Sequence, residues 1–434
     1  MRPSRQLLMI GAGFLALTVL LLVTNAPPAL AVTAWAGLGL VAAYDLLSSP
    51  HRRALTLQVQ APGDVFCGED ARMPVRLTTR TALPDIAEAR VEVADALGGQ
   101  APFTLTPFTD QHAAGEIRLP ATKRGTFDVT GVWLRWLSRY KLWEMTPRFP
   151  LTHVIKVVPN IRPVTSGQIE ATVRSELYGV KDTTTRGEGS EFHQLVEFTT
   201  GMDTRAIDWK RSARHRSLVA KETRAERNHQ IILALDNGYL MRGQIDGLSR
   251  IDHAINAALT TAWAAGLGGD LVGLFSFDAE PRHFSPPQPA RAAFPSLRAQ
   301  MAQMDYASVE SNHTLAMAHL NGRLKRRSLI VVFSDFADPT TAELLVENLE
   351  VLSRAHLVVF VTLTDPALER RQSGAALNAD EVAEAVVAAD MLRDRQLVFD
   401  RLARIGVLCV EAAPGKLTPR LLSTYLDIKA REMI

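Results

Sequence analysis

The sequence predicts three kinds of structure in series: a two-helix membrane hairpin, a β-rich sandwich-like segment, and an α/β domain built on a parallel sheet. Three observations carry this. Leu7–Val23 and Leu30–Tyr44 contain no charged residue. From Leu55 to about Asn160, short runs alternate apolar and polar residues between turn signals. From Gln230 onward, all-apolar strands alternate with helical stretches, the pattern of a parallel sheet covered on both faces.

At ~1.5 Å per residue Leu7–Val23 would span about 26 Å, close to a ~30 Å hydrocarbon core. The break at Thr24–Ala29 contains Pro27-Pro28, which cannot continue a helix. Trp35 and Tyr44 suit the headgroup level. A secretory signal is the rival reading, because Arg2 and Arg5 make a basic start and Ala29-Leu30-Ala31 resembles a cleavage site. The first run exceeds the ~7–15 residues of such a signal's apolar core, and cleavage leaves the second run without a role. Residues 1–50 are therefore read as a hairpin contacting lipid through 7–23 and 30–47. Arg2 and Arg5 before it, and Arg52 and Arg53 after it, put both termini on the cytoplasmic side of an inner membrane.

Composition agrees with a folded remainder. The 434 residues are 47% hydrophobic and 22% charged, with a net charge of +2, which excludes disorder, collagen and coiled coil as dominant states. Near-neutrality gives no general pull toward nucleic acid, and no such partner is expected. Cys67 and Cys409 are too few for a disulfide scaffold or a thiolate zinc cluster and are expected as free thiols in a reducing compartment.

Residues 51–160 form the β segment. Leu55–Gln60, Val75–Leu77, Ala89–Val93, Phe127–Val129 and Val132–Trp136 alternate, and Gly63, Gly68, Pro84, Gly98-Gly99, Gly115 and Gly125 punctuate them. Several short strands of this kind predict a small sandwich. His112 and His153 read as surface. Residues 161–227 are a polar connecting segment. In residues 228–434, strands are expected at Gln230–Asp236, Asp270–Phe277, Leu329–Asp335, His356–Leu363 and Val407–Val410, with an edge strand at Arg282–Ser285. Helices are expected at Ile251–Leu267, Arg291–Met304, Leu315–Arg326, Ala342–Arg354, Glu381–Ile405 and Pro419–Ala430. Asp380, Glu381 and Glu384 suit a helical first turn, where acids complement the dipole. Sites in open α/β sheets form at the carboxyl ends of strands. Asp236 and Asp335 occupy such ends, with Thr314 in a loop within reach.

Asp236, the run Gly269–Phe277, Thr314 and Val331–Asp335 resemble a von Willebrand factor A domain. Gly189–His193 followed by Gly201–Arg214 closely resembles the signature of the family called domain of unknown function 58, and Arg124-Gly125 fits it too. One departure is Ser138–Leu142, where many members carry an Asp-Pro-Phe-Gly-Leu-like stretch. The resemblance implies a membrane hairpin, a β-rich segment and an A-like domain acting as an adaptor or assembly factor beside a MoxR-type AAA+ ATPase, with no enzymatic reaction of its own. The absence of Gly-x-x-x-x-Gly-Lys-Ser/Thr agrees. In A domains that bind Mg²⁺ the first strand ends in Asp-x-Ser-x-Ser; here Gly238 and Leu240 replace both serines. Asp236, Thr314 and Asp335 are therefore a degenerate site, with no tight Mg²⁺ and no other cofactor expected.

Within the signature, Gly201 suggests a turn, Asp203 a helix N-cap, Asp208 a partner for Arg205 or Arg211, and Trp209 an apolar anchor. Lys210, Ala213 and Arg214 complete the run. One reading is a clasp between the β segment and the A-like domain; another is a partner-docking surface. The rival class is an enzyme, a metal-dependent phosphodiesterase or nuclease centred on Asp208 and Lys210 with Glu191 or Glu197, although no strand–turn–strand context supports it. The basic run Lys210, Arg211, Arg214, Arg216, Lys221, Arg224 and Arg227 reads as a solvated, partly paired face. Ser334 and the histidines invite a hydrolase reading, but no Gly-x-Ser-x-Gly elbow is present.

Overall fold

The computed structural model describes residues 1–24, 27–80, 82–167, 169–170, 191–199, 202, 204–215, 217–224, 229–373 and 379–434. The chain divides into two compact units, Met1–Val158 and Pro159–Ile434. The hairpin and the β segment share the first; the connecting segment joins the α/β domain in the second.

In the first unit, α1 (Arg5–Val23) and α2 (Pro28–Ser48) are long and apolar enough to cross a membrane. Ser4 caps α1, its hydroxyl accepting from the Leu7 amide at 3.2 Å, and Pro28 starts α2 with its φ already suited to a helix. Trp35 lies about two turns inside α2. Its Nε1 donates to Thr18 Oγ1 at 3.0 Å and its ring meets Phe14 edge-on, so the indole is satisfied by the hairpin itself rather than at a headgroup boundary.

The base of the hairpin is fixed by a buried carboxylate. Asp45 accepts from Ser138 Oγ at 2.5 Å, from the Tyr140 amide at 2.8 Å and from the Leu142 amide at 3.2 Å. Trp143 Nε1 donates to the Ala42 carbonyl at 2.8 Å, and the Ser4 amide to the Leu142 carbonyl at 2.9 Å. The turn at 138–142, where the sequence departs from the family pattern, is thus the seat of both helices. Lys141 adopts a left-handed φ of 60° there.

The β strands are β1 (Leu55–Val59), β2 (Asp64–Phe66), β3 (Asp70–Thr79), β4 (Ile86–Val93), β5 (Gln100–Phe103), β6 (Leu105–Thr109), β7 (His112–Pro120), β8 (Gly125–Leu137), β9 (Trp143–Met145) and β10 (Arg148–Val158). One sheet runs β1-β3-β7-β6. The other is organised around β8, which pairs with β4, β9 and β10; β5 extends β4, and β2 joins β10 in parallel. Alternate side chains are buried, including Met73, Leu77, Val91, Ile117, Leu119, Leu134 and Trp136. Each large one contributes roughly 1.5–3 kcal/mol relative to exposure. Phe127–Val129 and Val132–Trp136 belong to one long strand rather than two. Gly115 is not a turn but sits inside β7, where a Cβ would strike the Thr104 carbonyl. His112 is exposed and His153 half-buried. Neither Cys67 nor Cys409 forms a disulfide, and burial pushes the Cys409 thiol up to about 11.

In the second unit a single helical turn at Arg162–Thr165 is followed by β11 (Glu191–Glu197), α3 (Trp209–His215) and β12 (Val219–Arg224), β11 and β12 pairing antiparallel. The α/β elements follow: β13 (Gln230–Asp236), α4 (Arg250–Leu267), β14 (Leu271–Phe277), β15 (Pro281–Pro289), α5 (Ala290–Gln303), α6 (His313–Arg323), β16 (Leu329–Phe333), α7 (Pro339–Ser353), β17 (Leu357–Leu363), α8 (Pro366–Ser373), α9 (Ala379–Arg404), β18 (Leu408–Ala412) and α10 (Pro414–Ala430). The sheet runs β15-β14-β13-β16-β17-β18, parallel except for the edge strand β15. This is the doubly wound, A-like arrangement that the resemblance implies. On one face α6, α7 and α9 bury Ile232, Phe275, Ile330, Val358 and Phe360. On the other, α4 packs on β13 and β14, and α10 on α4 and β18.

Several boundaries differ from expectation. α10 begins at Pro414, which occupies a first-turn position, and Pro419 lies inside it. α8 is an additional helix. β16 stops at Phe333, and the side chains of Ser334 and Asp335 just beyond it serve the strand-end network described next.

Candidate functional site

The strand order reverses between β13 and β16, and crevices of open α/β sheets form at such a switch point. Asp236 ends β13 there, and Ser334-Asp335 follow β16. The loop after α5 folds over this point: Ala307 N donates to the Asn237 carbonyl at 2.6 Å, and Tyr239 N to the Val309 carbonyl at 2.9 Å. That loop delivers Ser311 and His313. Asp236, almost fully buried, accepts from Ser311 Oγ, from Ser334 Oγ at 2.5 Å and from the Gly238 amide at 2.8 Å. His313 Nε2 lies 3.1 Å from Ser334 Oγ and 3.5 Å from Asp236 Oδ2.

Asp335 is bound still more completely. Arg250 Nη1 pairs with its Oδ2, while Arg395 Nη1 at 2.9 Å, Thr362 Oγ1 at 3.1 Å and the Phe336 amide at 3.0 Å donate to its Oδ1. Arg395 also reaches Glu411 at 3.3 Å and lies over the Phe336 ring, 5.0 Å from its centre. Burial opposes the Arg395 charge, but Asp335 and Glu411 outweigh it and the guanidinium's pKa is raised. Burial drives the Glu411 carboxyl above its usual range, against the pull of Arg395. A cavity of about 10 Å³ lined by Arg250, Ser334, Asp335, Thr362, Leu363 and Leu417 is no larger than a single water needs.

These residues do not fit a divalent cation. Thr314 is not brought to the site; it is exposed on α6, and its hydroxyl accepts from Asn348 Nδ2 at 2.8 Å. A Cβ at Gly238 would collide with Ser311 Oγ, so a hydroxyl arriving from another loop fills the space that a serine there would need. The positive charge beside Asp335 comes from two guanidiniums of the chain itself. Among the described residues, no group of three or more His, Cys, Asp or Glu side chains is disposed to hold a metal.

Nor is Ser334 set up as a nucleophile. It is sealed from solvent, its proton is committed to Asp236, and one histidine nitrogen touches both Ser334 and Asp236. A relay needs the carboxylate on the opposite ring nitrogen. Sequence reasoning identified Asp236 and Asp335 but missed Arg250, Ser311, His313, Thr362 and Arg395. Nothing local marks those five as site residues.

In the signature run, Gly201 and Asp203 lie outside the described residues, as does the side chain of Arg205. The N-cap is Asp208: its Oδ1 accepts from the Arg211 amide at 3.1 Å, and its Oδ2 lies 3.5 Å from Lys221 Nζ on β12. The amide bond first, and Lys221 next, hold this carboxyl below its ordinary range. Ser212 is buried and exchanges hydrogen bonds with Val219, clamping α3 to β12. Trp209 is no buried anchor; it is 68% exposed. Lys210, Ala213 and Arg214 are exposed beside it on α3, and Glu197 is exposed on β11. Asp208 is thus spent on helix capping, and Trp209, the first helical residue, is exposed.

Residues 194–396 match the family described as protein of unknown function DUF58, which bears out the resemblance read from the 201–214 run. No curated protein matches the chain. Among solved structures, the conserved hypothetical protein BatB from Bacteroides thetaiotaomicron is similar at 13% identity and a TM-score of 0.30, over 46% of this chain and 99% of its own. An aerotolerance-related membrane protein from Bacteroides fragilis NCTC 9343 is similar at 14% identity and 0.31, over 47% and 100%. The vWF domain of the type V pili tip protein Mfa5 from Porphyromonas gingivalis is similar at 12% identity and 0.29, over 48% and 97%.

Proposed function

We propose that this protein is a membrane-anchored cytosolic adaptor or assembly factor that works with a MoxR-type AAA+ ATPase through its signature run. The observation that carries the reading is Trp209: a large aromatic, 68% exposed, held on a short helix braced by Asp208 and Ser212, with Lys210 and Arg214 beside it. Trp and Arg dominate the energetics of protein interfaces, and an exposed Trp costs a monomer solubility unless it serves a contact. The chemistry elsewhere agrees: the strand-end carboxylates are consumed by internal donors, which suits a scaffold better than a catalyst. The phosphodiesterase alternative is disfavoured because Asp208 already caps α3 and pairs with Lys221. The two apolar helices, flanked on both sides by arginines, support an inner-membrane hairpin with both termini in the cytoplasm.

The test is affinity capture of the full chain from native membranes with ATP present. An AAA+ ATPase should co-purify with the wild type and be lost with Trp209→Ala, whose stability should stay within about 0.5 kcal/mol because the side chain is exposed. Equal capture by both proteins overturns the docking role of Trp209; no ATPase in either overturns the partner. Mg²⁺- or Mn²⁺-dependent cleavage of single-stranded DNA that Asp208→Ala abolishes would favour the enzyme instead. A reporter fused after Ile434 should be active only as a cytoplasmic fusion; periplasmic activity, or a mature chain starting near Val32, overturns the topology.

A further inference from the structure

The turn Ser138–Leu142 is pinned to the ends of both membrane helices. Asp45, one turn from the end of α2, binds Ser138 Oγ and the Tyr140 and Leu142 amides. Ser4, the cap of α1, donates its hydroxyl to the Lys141 carbonyl at 2.5 Å, and the Arg139 amide donates to Ser49 Oγ at 3.3 Å. The turn therefore sits where both helices leave the apolar span. Arg5, the first residue of α1, and Tyr44, which ends the uncharged run of α2, belong to the same level.

The side chains exposed at this level suit a phospholipid headgroup. Arg139, Tyr140 and Lys141 are all exposed, and the Tyr140 ring lies 6.3 Å from that of Tyr44. The two tyrosines are 51% and 57% exposed, and a ring with a polar tip is favoured where acyl chains meet water. Among the described residues, Arg5, Arg139 and Lys141 have no carboxylate partner. Their basic neighbours are engaged: Arg2 and Arg135 share Glu144 at 2.8 and 3.2 Å, and Arg52 lies over the Phe149 ring, 5.6 Å from its centre. Asp45 and Glu144 are thus already bound and leave the three cations uncompensated. Two of the three also stand where local structure opposes them. Lys141 holds a left-handed φ of 60°, which glycine adopts far more readily, and Arg5 meets the positive end of the α1 dipole. An anionic surface facing the turn offsets both costs. We infer that Arg5, Arg139 and Lys141, together with Tyr44 and Tyr140, bind the phosphate headgroups of anionic phospholipid and hold the turn against the membrane surface. The inference rests on the membrane-hairpin reading, because a bilayer around α1 and α2 is what brings headgroups to this level.

The test places a photoreactive benzophenone amino acid at Tyr44 in the full chain, reconstituted in liposomes of equal phosphatidylcholine and phosphatidylglycerol. Irradiation should give lipid adducts dominated by phosphatidylglycerol. Each basic residue near an anionic surface contributes a preference of roughly fivefold, so Arg139→Gln/Lys141→Gln should lower the ratio of glycerol to choline adducts about 25-fold. Its melting temperature should match wild type, because the turn is held through Asp45, Ser4 and backbone groups rather than through these two side chains. Lys141→Gly should melt higher than wild type and still lose roughly fivefold in the ratio. A fall in its stability together with the ratio would make Lys141 a structural residue and overturn the inference. An excess of inorganic phosphate at constant ionic strength should leave the ratio unchanged; loss of phosphatidylglycerol adducts to it would make the patch a soluble-anion site and overturn the inference. A wild-type ratio near one, or a change below twofold in the double variant, with the chain still resisting alkaline carbonate extraction, overturns this inference and leaves the hairpin standing. No lipid adduct of either kind, with the chain released by carbonate, overturns both readings.

Discussion

Asp335→Ala strikes the centre of the strand-end network. The wild-type carboxylate accepts from Arg250, Arg395, Thr362 Oγ1 and the Phe336 amide. Alanine leaves two guanidiniums, 17% and 13% exposed at the side chain, with Glu411 as the carboxylate still within 3.3 Å of Arg395. Removing one partner of a buried ion pair costs about 3–5 kcal/mol, because the remaining charge is stranded in a poorly solvated site. For a domain of 150–250 residues each kcal/mol lowers the midpoint by about 2–4 °C, so the loss should be roughly 6–20 °C. Arg250→Met is the control. It leaves Asp335 bonded to Arg395, so it should cost less, about 1–3 kcal/mol. Differential scanning calorimetry of the full chain in detergent would follow the transition of the second unit in all three proteins. An Asp335→Ala protein within 1 kcal/mol of wild type, or more stable than Arg250→Met, would refute the view that the guanidiniums stand where a cation would be.

Three further outcomes follow from the same geometry. Asp45→Ala deprives Ser138 Oγ and the Tyr140 and Leu142 amides of their acceptor; at about 1–3 kcal/mol per buried unsatisfied group the first unit should lose at least 2 kcal/mol, measured by thermal denaturation. Calorimetric titration with MgCl₂ should detect no micromolar binding, and binding that Asp236→Ala removes would contradict the filled site. Asp338 caps α7, and the Thr341 amide holds its carboxyl below the ordinary value. Its contribution is fully present above the unfolded value of ~3.9 and is lost as pH falls through the lower folded one. Melting temperatures measured between pH 5 and pH 2 should therefore fall less steeply in Asp338→Ala than in wild type.

Much of the architecture was legible because it is written in local periodicity. The uncharged runs became α1 and α2, period-two alternation became β3 and β8, and the apolar run Gln230–Asp236 became a central strand buried from Ile231 onward. The missing serines at 238 and 240 pointed to a departure from the cation-binding pattern at this strand end. The replacement itself was not legible. Arg250 and Arg395 meet Asp335 from 85 and 60 residues away, and Ser311 reaches Asp236 across 75. Trp209 was expected as an apolar anchor, and instead it is exposed on a helix that Asp208 caps and Ser212 clamps to β12. Asp45 is one acidic residue at the end of an apolar helix until the 138–142 turn closes over it. Secondary structure follows from neighbours a few positions apart, whose spacing decides which side chains share a face. The partners of a buried charge are chosen by which loops the sheet order brings together, and that choice is made only in three dimensions, where leaving a charge unpaired away from water is too costly to persist.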